Sequence, residues 1–137
     1  MQRILLIEDD GCIRNLIAML LRNLGHQVEV AEDGEEGIEL FTKVGKFDVV
    51  ITDIRMPRKD GHQVAKHIRS SERAETPIVA ITAYEGDFQK DVFDFSLLKP
   101  FRNEDLLRIL GSIEQGDHDG ANITQRSAST HLLSSIP

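Results

Sequence analysis

Four short apolar runs, each ending on a reactive polar residue, constrain this chain more than any other feature. Ile4-Leu5-Leu6-Ile7 leads into Glu8-Asp9-Asp10, and Val49-Val50-Ile51-Thr52 leads into Asp53. Ile78-Val79-Ala80-Ile81 leads into Thr82, and Leu97-Leu98 leads into Lys99-Pro100. Runs this short, separated by helix-like segments, read as parallel strands buried on both faces. In an open α/β sheet, ligands bind outside the carboxyl ends of the strands. That edge is where an acidic cluster, a lone carboxylate, a hydroxyl and an ammonium would meet.

The intervening segments carry helical signals. Ile13, Leu16, Ile17, Leu20, Leu21 and Leu24 recur at the spacing of one helix face, and Gly25 follows where a C-cap belongs. Val28 and Val30 alternate with polar neighbours as a second strand, before Asp33 caps a helix over 35–44 that buries Ile38 and Phe41. The third strand is 47–52, and Arg55-Met56-Pro57-Arg58-Lys59-Asp60-Gly61 reads as a loop. A helix over 62–70 buries Val64 and Ile68. Pro77 then opens the fourth strand, 78–82. Asn103 is a candidate cap for a last helix that aligns Leu106, Leu107, Leu110 and Ile113. This alternation implies a parallel sheet with helices on both faces. The expected domain is 1–115. Residues 116–137 turn rich in Gly, Ser, Thr, Asn and His and read as a polar tail or linker stub, with Leu132, Leu133 and Ile136 as the alternative of a short docking segment.

Sixteen Lys and Arg against 23 Asp and Glu give a formal net charge of −7. Such a surface disfavours nucleic acid, which needs clustered cations. No apolar stretch is long enough to span a bilayer, and Cys12 is the one cysteine. A cytoplasmic location without membrane association is the expectation.

Each polar strand end has a plain alternative. Asp10 reads best as a helix cap. Glu8 and Asp9 are adjacent carboxylates at a buried edge, where repulsion and lost hydration call for a cation. Mg²⁺ takes one or two carboxylates, keeps waters and uses phosphate oxygens for the rest. Asp53 is either a turn-initiating residue or a nucleophile able to accept a phosphoryl group as an acyl phosphate. Thr82 alone is an ordinary strand residue, and Lys99 alone an ordinary surface lysine. At one edge, the hydroxyl and the ammonium would both reach phosphoryl oxygens. His62 and His67 read as a solvated helix face, and Met56 as loop packing.

With Glu8-Asp9-Asp10, Asp53, Met56-Pro57, Asp60-Gly61, Thr82-Ala83 and Lys99-Pro100-Phe101 in this order, the chain over about residues 2–114 resembles the receiver domain of bacterial two-component response regulators. The resemblance implies a flavodoxin-like (CheY-like) doubly wound five-stranded parallel sheet of order 2-1-3-4-5. It implies that Asp53 accepts a phosphoryl group from a phosphohistidine on a sensor histidine kinase or histidine phosphotransfer protein. It further implies that Asp9, Asp53 and the Arg55 backbone carbonyl bind Mg²⁺, with Glu8 direct or through water, that Thr82 and Lys99 contact the phosphoryl group, and that the Lys99–Pro100 peptide is cis.

Two departures from that family stand out. Ser96 occupies the position where an aromatic residue usually changes rotamer on phosphorylation. The segment between Thr82 and Lys99 is short by more than a helical turn, so the fourth helix is expected to be cut back or missing, with the output surface rebuilt. Arg55 and Tyr84 would flank the phosphoryl position. The residues leave three readings open: a phospho-accepting signalling domain rather than an enzyme, a phosphorylation-independent docking module, and a Mg²⁺-dependent phosphohydrolase. The last usually needs a second carboxylate just after the nucleophile, and Ile54-Arg55 stands there instead.

Overall fold

Among the described residues, five parallel strands form one sheet in the order β2-β1-β3-β4-β5. They are β1 (Arg3–Ile7), β2 (Gln27–Ala31), β3 (Val49–Asp53), β4 (Ile78–Thr82) and β5 (Phe95–Leu98). The computed structural model describes residues 1–88 and 92–116. The register sets Ile7 beside Thr52, Asp53 beside Ile81 and Thr82 beside Leu98. The polar residues that end β1, β3, β4 and β5 therefore emerge at one rim.

Among the described residues, four α-helices cover the sheet: α1 (Gly11–Asn23), α2 (Gly34–Val44), α3 (Gly61–Arg69) and α4 (Asn103–Glu114). Strand side chains alternate between two cores. Ile4, Leu6, Ile51, Ile81 and Leu97 pack with Ile17 and Leu21 of α1 and Leu106 and Leu110 of α4. Leu5, Ile7, Val50 and Ala80 pack with Phe41 of α2 and Val64 and Ile68 of α3. Each such fully buried aliphatic side chain contributes about 2 kcal/mol of apolar transfer. Among the described residues, no helix is long and apolar enough to cross a membrane.

Local signals acted largely as the sequence implied. The Asp10 carboxylate accepts from Cys12 N and Ile13 N at 2.9 and 3.2 Å, and Asp33 accepts from Glu36 N at 2.8 Å. Gly25 follows α1 at φ 94°. The α1 stripe is narrower than its periodicity suggests: Ile17 and Leu21 define the inward line, and Leu16, one residue and about 100° away, is 67% exposed. Leu24 lies past the last turn and is also exposed. At α4 the cap position is Arg102, not Asn103. Asp105 reaches back to accept from Arg102 N at 3.2 Å, which starts the helix from its third position. Leu107 is partly exposed, and Ile109 fills the core beside Leu106.

Between β4 and β5 the described residues hold a single 3-10 turn, Glu85–Asp87, and no α-helix, in line with a fourth helix cut back or missing. Phe93 is buried there, with Phe88 and Val92 partly buried against the α2–α3 core. Arg69 fastens this region to the end of α3: its guanidinium donates to the carbonyls of Ala74, Thr76 and Val92, and to Asp94 Oδ2 at 2.7 Å. The Lys99–Pro100 peptide is cis, as the resemblance implied. The expected tail, apart from Gly116, lies outside the described residues.

Candidate functional site

The rim formed by the β1, β3, β4 and β5 ends gathers the residues singled out in the sequence. Glu8 and Asp53 are buried, at 2% and 8% exposure, while Asp9 is exposed. One carboxylate oxygen from each of the three lies within 4.8 Å of the others. Lys99 Nζ donates to Asp53 Oδ2 at 2.9 Å and to Glu8 Oε1 at 3.1 Å. Asp53 Oδ1 accepts from Ile54 N at 2.7 Å. With all three carboxyl groups ionised, their balance against one ammonium is two negative charges.

Burial pushes the Glu8 carboxyl up to about 7, and the nearby Asp53 charge adds to the push against the bonds from Asp10 N and Lys99. Burial alone would lower the Lys99 ammonium, but its bonds to Asp53 and Glu8 outweigh it and hold the group above its ordinary value. An all-oxygen cluster of three carboxyl groups with one ammonium to balance them fits a hard divalent cation such as Mg²⁺.

The approach of the neighbouring loop depends on two glycines. A Cβ on Gly34 would fall 1.9 Å from the Lys59 carbonyl oxygen, and a Cβ on Gly61 would fall 2.5 Å from the Asp53 carbonyl oxygen. Both obstacles are backbone, so α2 and α3 approach the loop after β3 only because these side chains are hydrogen. Arg58 in that loop has a left-handed φ of 70°, and its guanidinium pairs with the capping Asp33 at 2.7 Å.

Thr82 is almost wholly buried, and its hydroxyl is engaged. It donates to Asp87 Oδ2 at 3.0 Å and accepts from Tyr84 N at 3.3 Å. Asp87 also takes a two-point bond from Arg55, at 2.8 Å from Nε and 3.1 Å from Nη2. The Arg55 guanidinium lies over the Tyr84 ring at 3.7 Å from its centroid. Arg55 first, then Thr82, hold the Asp87 carboxyl below the usual carboxylate range despite its burial. Asp87 carried no sequence signal: it sits in an irregular stretch, and its partners come from two other elements. His62 is likewise not simply solvated, because its Nε2 is 2.7 Å from the Asp87 carbonyl oxygen and its ring tilts against Phe93. Ser96 is buried in β5, facing away from the core that holds Phe95 and Leu97. Met56 is loop packing, partly buried against the α2–α3 core.

A sheet of order 2-1-3-4-5 with helices on both faces defines a doubly wound, CheY-like α/β domain. Residues 4–111 match the response regulator receiver domain, and the chain belongs to that family. It is similar to the transcriptional regulatory protein TrcR of Mycobacterium tuberculosis, with 35% identity over 122 residues, which is 85% of this chain and 47% of TrcR. In structure it is similar to the response regulator TrrA of Thermotoga maritima in complex with Mg²⁺ and beryllofluoride, at 33% identity and a TM-score of 0.74, covering 82% of this chain and 99% of that one. TrrA in complex with the histidine kinase ThkA gives a TM-score of 0.73 at 33% identity, covering 82% of this chain and 98% of the matched chain. The chain spans about half the length of the curated relatives it matches.

Proposed function

We propose that this receiver domain takes a phosphoryl group from a partner's phosphohistidine onto Asp53, as a stoichiometric acceptor in a cytoplasmic phosphorelay rather than a turnover enzyme. A carboxylate oxygen of Asp53 attacks phosphorus as the P–N bond breaks, and the imidazole leaves with the bonding pair. Asp9, Asp53 and the Arg55 carbonyl would hold Mg²⁺, with Glu8 direct or through water. The bound ion supplies charge neutralisation at the phosphoryl oxygens. Lys99 keeps Asp53 oriented, and its remaining donor capacity serves the incoming group. Thr82 would offer its hydroxyl to a phosphoryl oxygen. The observation that carries this reading is the buried Asp53 carboxylate, bonded to Lys99 within a cluster of three carboxyl groups and one ammonium.

TrrA supports the partner class, because it is known bound to a histidine kinase and, separately, to Mg²⁺ with beryllofluoride. The test is intact-mass measurement after incubation with Mg²⁺ and a small acyl-phosphate donor. One stoichiometric, hydroxylamine-labile phosphate is expected, absent in Asp53→Ala. Unlabelled parent protein, or label that survives in Asp53→Ala, would remove the basis of the assignment.

A further inference from the structure

Thr82 has one hydroxyl proton, and Asp87 already holds it. A hydroxyl donates a single hydrogen bond, whereas the Lys99 ammonium has three donors and can keep its bonds to Glu8 and Asp53 while reaching a third oxygen. A phosphoryl group on Asp53 therefore meets a lysine with spare capacity and a threonine with none. Resting on the reading of Asp53 given above, we propose that Asp87 is an internal competitor for the Thr82 proton. Phosphorylation then exchanges the Thr82–Asp87 bond for a Thr82–phosphoryl bond, and this loosens the Arg55–Asp87–Tyr84 cluster as the chain's switch.

The cluster is built to respond as a unit. Asp87 joins Thr82 of β4 to Arg55 of the loop after β3, and Arg55 stacks on Tyr84. Asp87 loses its hydroxyl donor in the exchange and gains a new neighbour of like charge. Arg55 gains a second anion to choose. Among the described residues, the 3-10 turn Glu85–Asp87 is further tied through the His62 contact to the Asp87 carbonyl and the Asp87 N–H to the Tyr84 carbonyl. It lies in the connection between β4 and β5, beside a β5 whose Ser96 has no aromatic ring to move. The response runs along the rim through a carboxylate and does not need a ring behind the sheet.

Tyr84 is the only tyrosine and the chain has no tryptophan, so tyrosine emission reports on this cluster alone. The test uses beryllofluoride with Mg²⁺ as the phosphoryl probe, fluorine NMR for occupancy and Tyr84 emission for the cluster. Occupancy in the parent should change Tyr84 emission and raise amide exchange over 84–88. Asp87→Ala should start near the released emission and bind the probe about fivefold tighter, the worth of one freed hydrogen bond. The affinity comparison is made in an Arg55→Ala background, which removes the freed guanidinium as a rival ligand. There the gain from Asp87→Ala should vanish when Thr82→Val is added, because it acts through the hydroxyl. A gain that persists with Thr82→Val would mean simple charge repulsion and overturn the exchange. Full occupancy with unchanged Tyr84 emission and equal affinities overturns it too. No Asp53-dependent fluorine signal in any variant would instead remove the phosphoacceptor reading on which it rests. Asp87→Asn, which keeps the shape and an acceptor oxygen, repeats the test with a smaller gain expected should the alanine variant fail to fold.

Discussion

Lys99→Ala tests the electrostatic account of the rim most directly. Lys99 is the cation bonded to both Glu8 and Asp53, and its side chain is 21% exposed. At an effective dielectric of about 20, two unit charges at the 4.8 Å outer limit of this cluster repel by about 3.5 kcal/mol. Removing one partner of a buried ion pair commonly costs about 3–5 kcal/mol. Glu8 can escape part of this by taking a proton, since burial already pushes its carboxyl up to about 7. We expect a loss of about 3 kcal/mol for the metal-free variant at pH 8, and less at pH 6, where Glu8 is protonated. For a domain of this size that is a fall of about 12 °C in Tm. Saturating Mg²⁺ should recover at least half of it, because the ion supplies the missing positive charge. Glu8→Gln combined with Lys99→Ala should cost less than the two single changes added, because the repulsion is already gone. Calorimetric melts of the four proteins, with chelator and with Mg²⁺, measure every term. A loss below about 1 kcal/mol, with the same Mg²⁺ response as the parent, would show that the carboxylates do not need Lys99.

Three further outcomes follow from the packing and caps. Asp33→Ala should cost about 1 kcal/mol through the lost cap, and denaturant melts across pH locate the effect. The Glu36 N–H first, then Arg58, hold the Asp33 carboxyl below its ordinary 3.8. Its stabilisation is therefore complete above that value and fades as pH falls through the lowered one, so the gap between parent and variant should narrow in acid. Gly61→Ala should destabilise by about 2 kcal/mol and slow labelling of Asp53 by a small phosphodonor, because the added methyl meets the Asp53 and Ile54 backbone. Ile17→Ala should cost about 3 kcal/mol, whereas Leu16→Ala should stay within about 0.5 kcal/mol, a contrast set by 7% against 67% exposure and checked by urea melts.

The parts legible in the sequence are those fixed by local chemistry. Strands buried on both faces have no choice but to be apolar, so their ends stand out, and the reactive residues at those ends fall on one rim once the order is parallel. Asp10 and Asp33 were legible for the same local reason. What stayed hidden depends on which elements meet. The α1 periodicity marks Leu16 as apolar but does not say that nothing packs over it. The cap of α4 runs backward from Asp105, a pattern that a search for a polar residue at the first position misses. Arg55 and Tyr84 were expected beside the phosphoryl position, yet their bond through Asp87 spans 32 residues from Arg55 and follows no repeat. A contact of that kind becomes visible only when the short connection between β4 and β5 is folded against the loop after β3.

Gly34 and Gly61 have a mechanical consequence. Where each abuts the loop after β3, main chain meets main chain, and the separation is fixed by atomic radii that no rotamer can adjust. That contact is cast. The contacts around Asp87 are of another kind, an ion pair, a stacked ring and one shared proton, all of which side chains can surrender. A disturbance at the rim meets main chain that cannot yield beside Gly61 and side chains that can around Asp87.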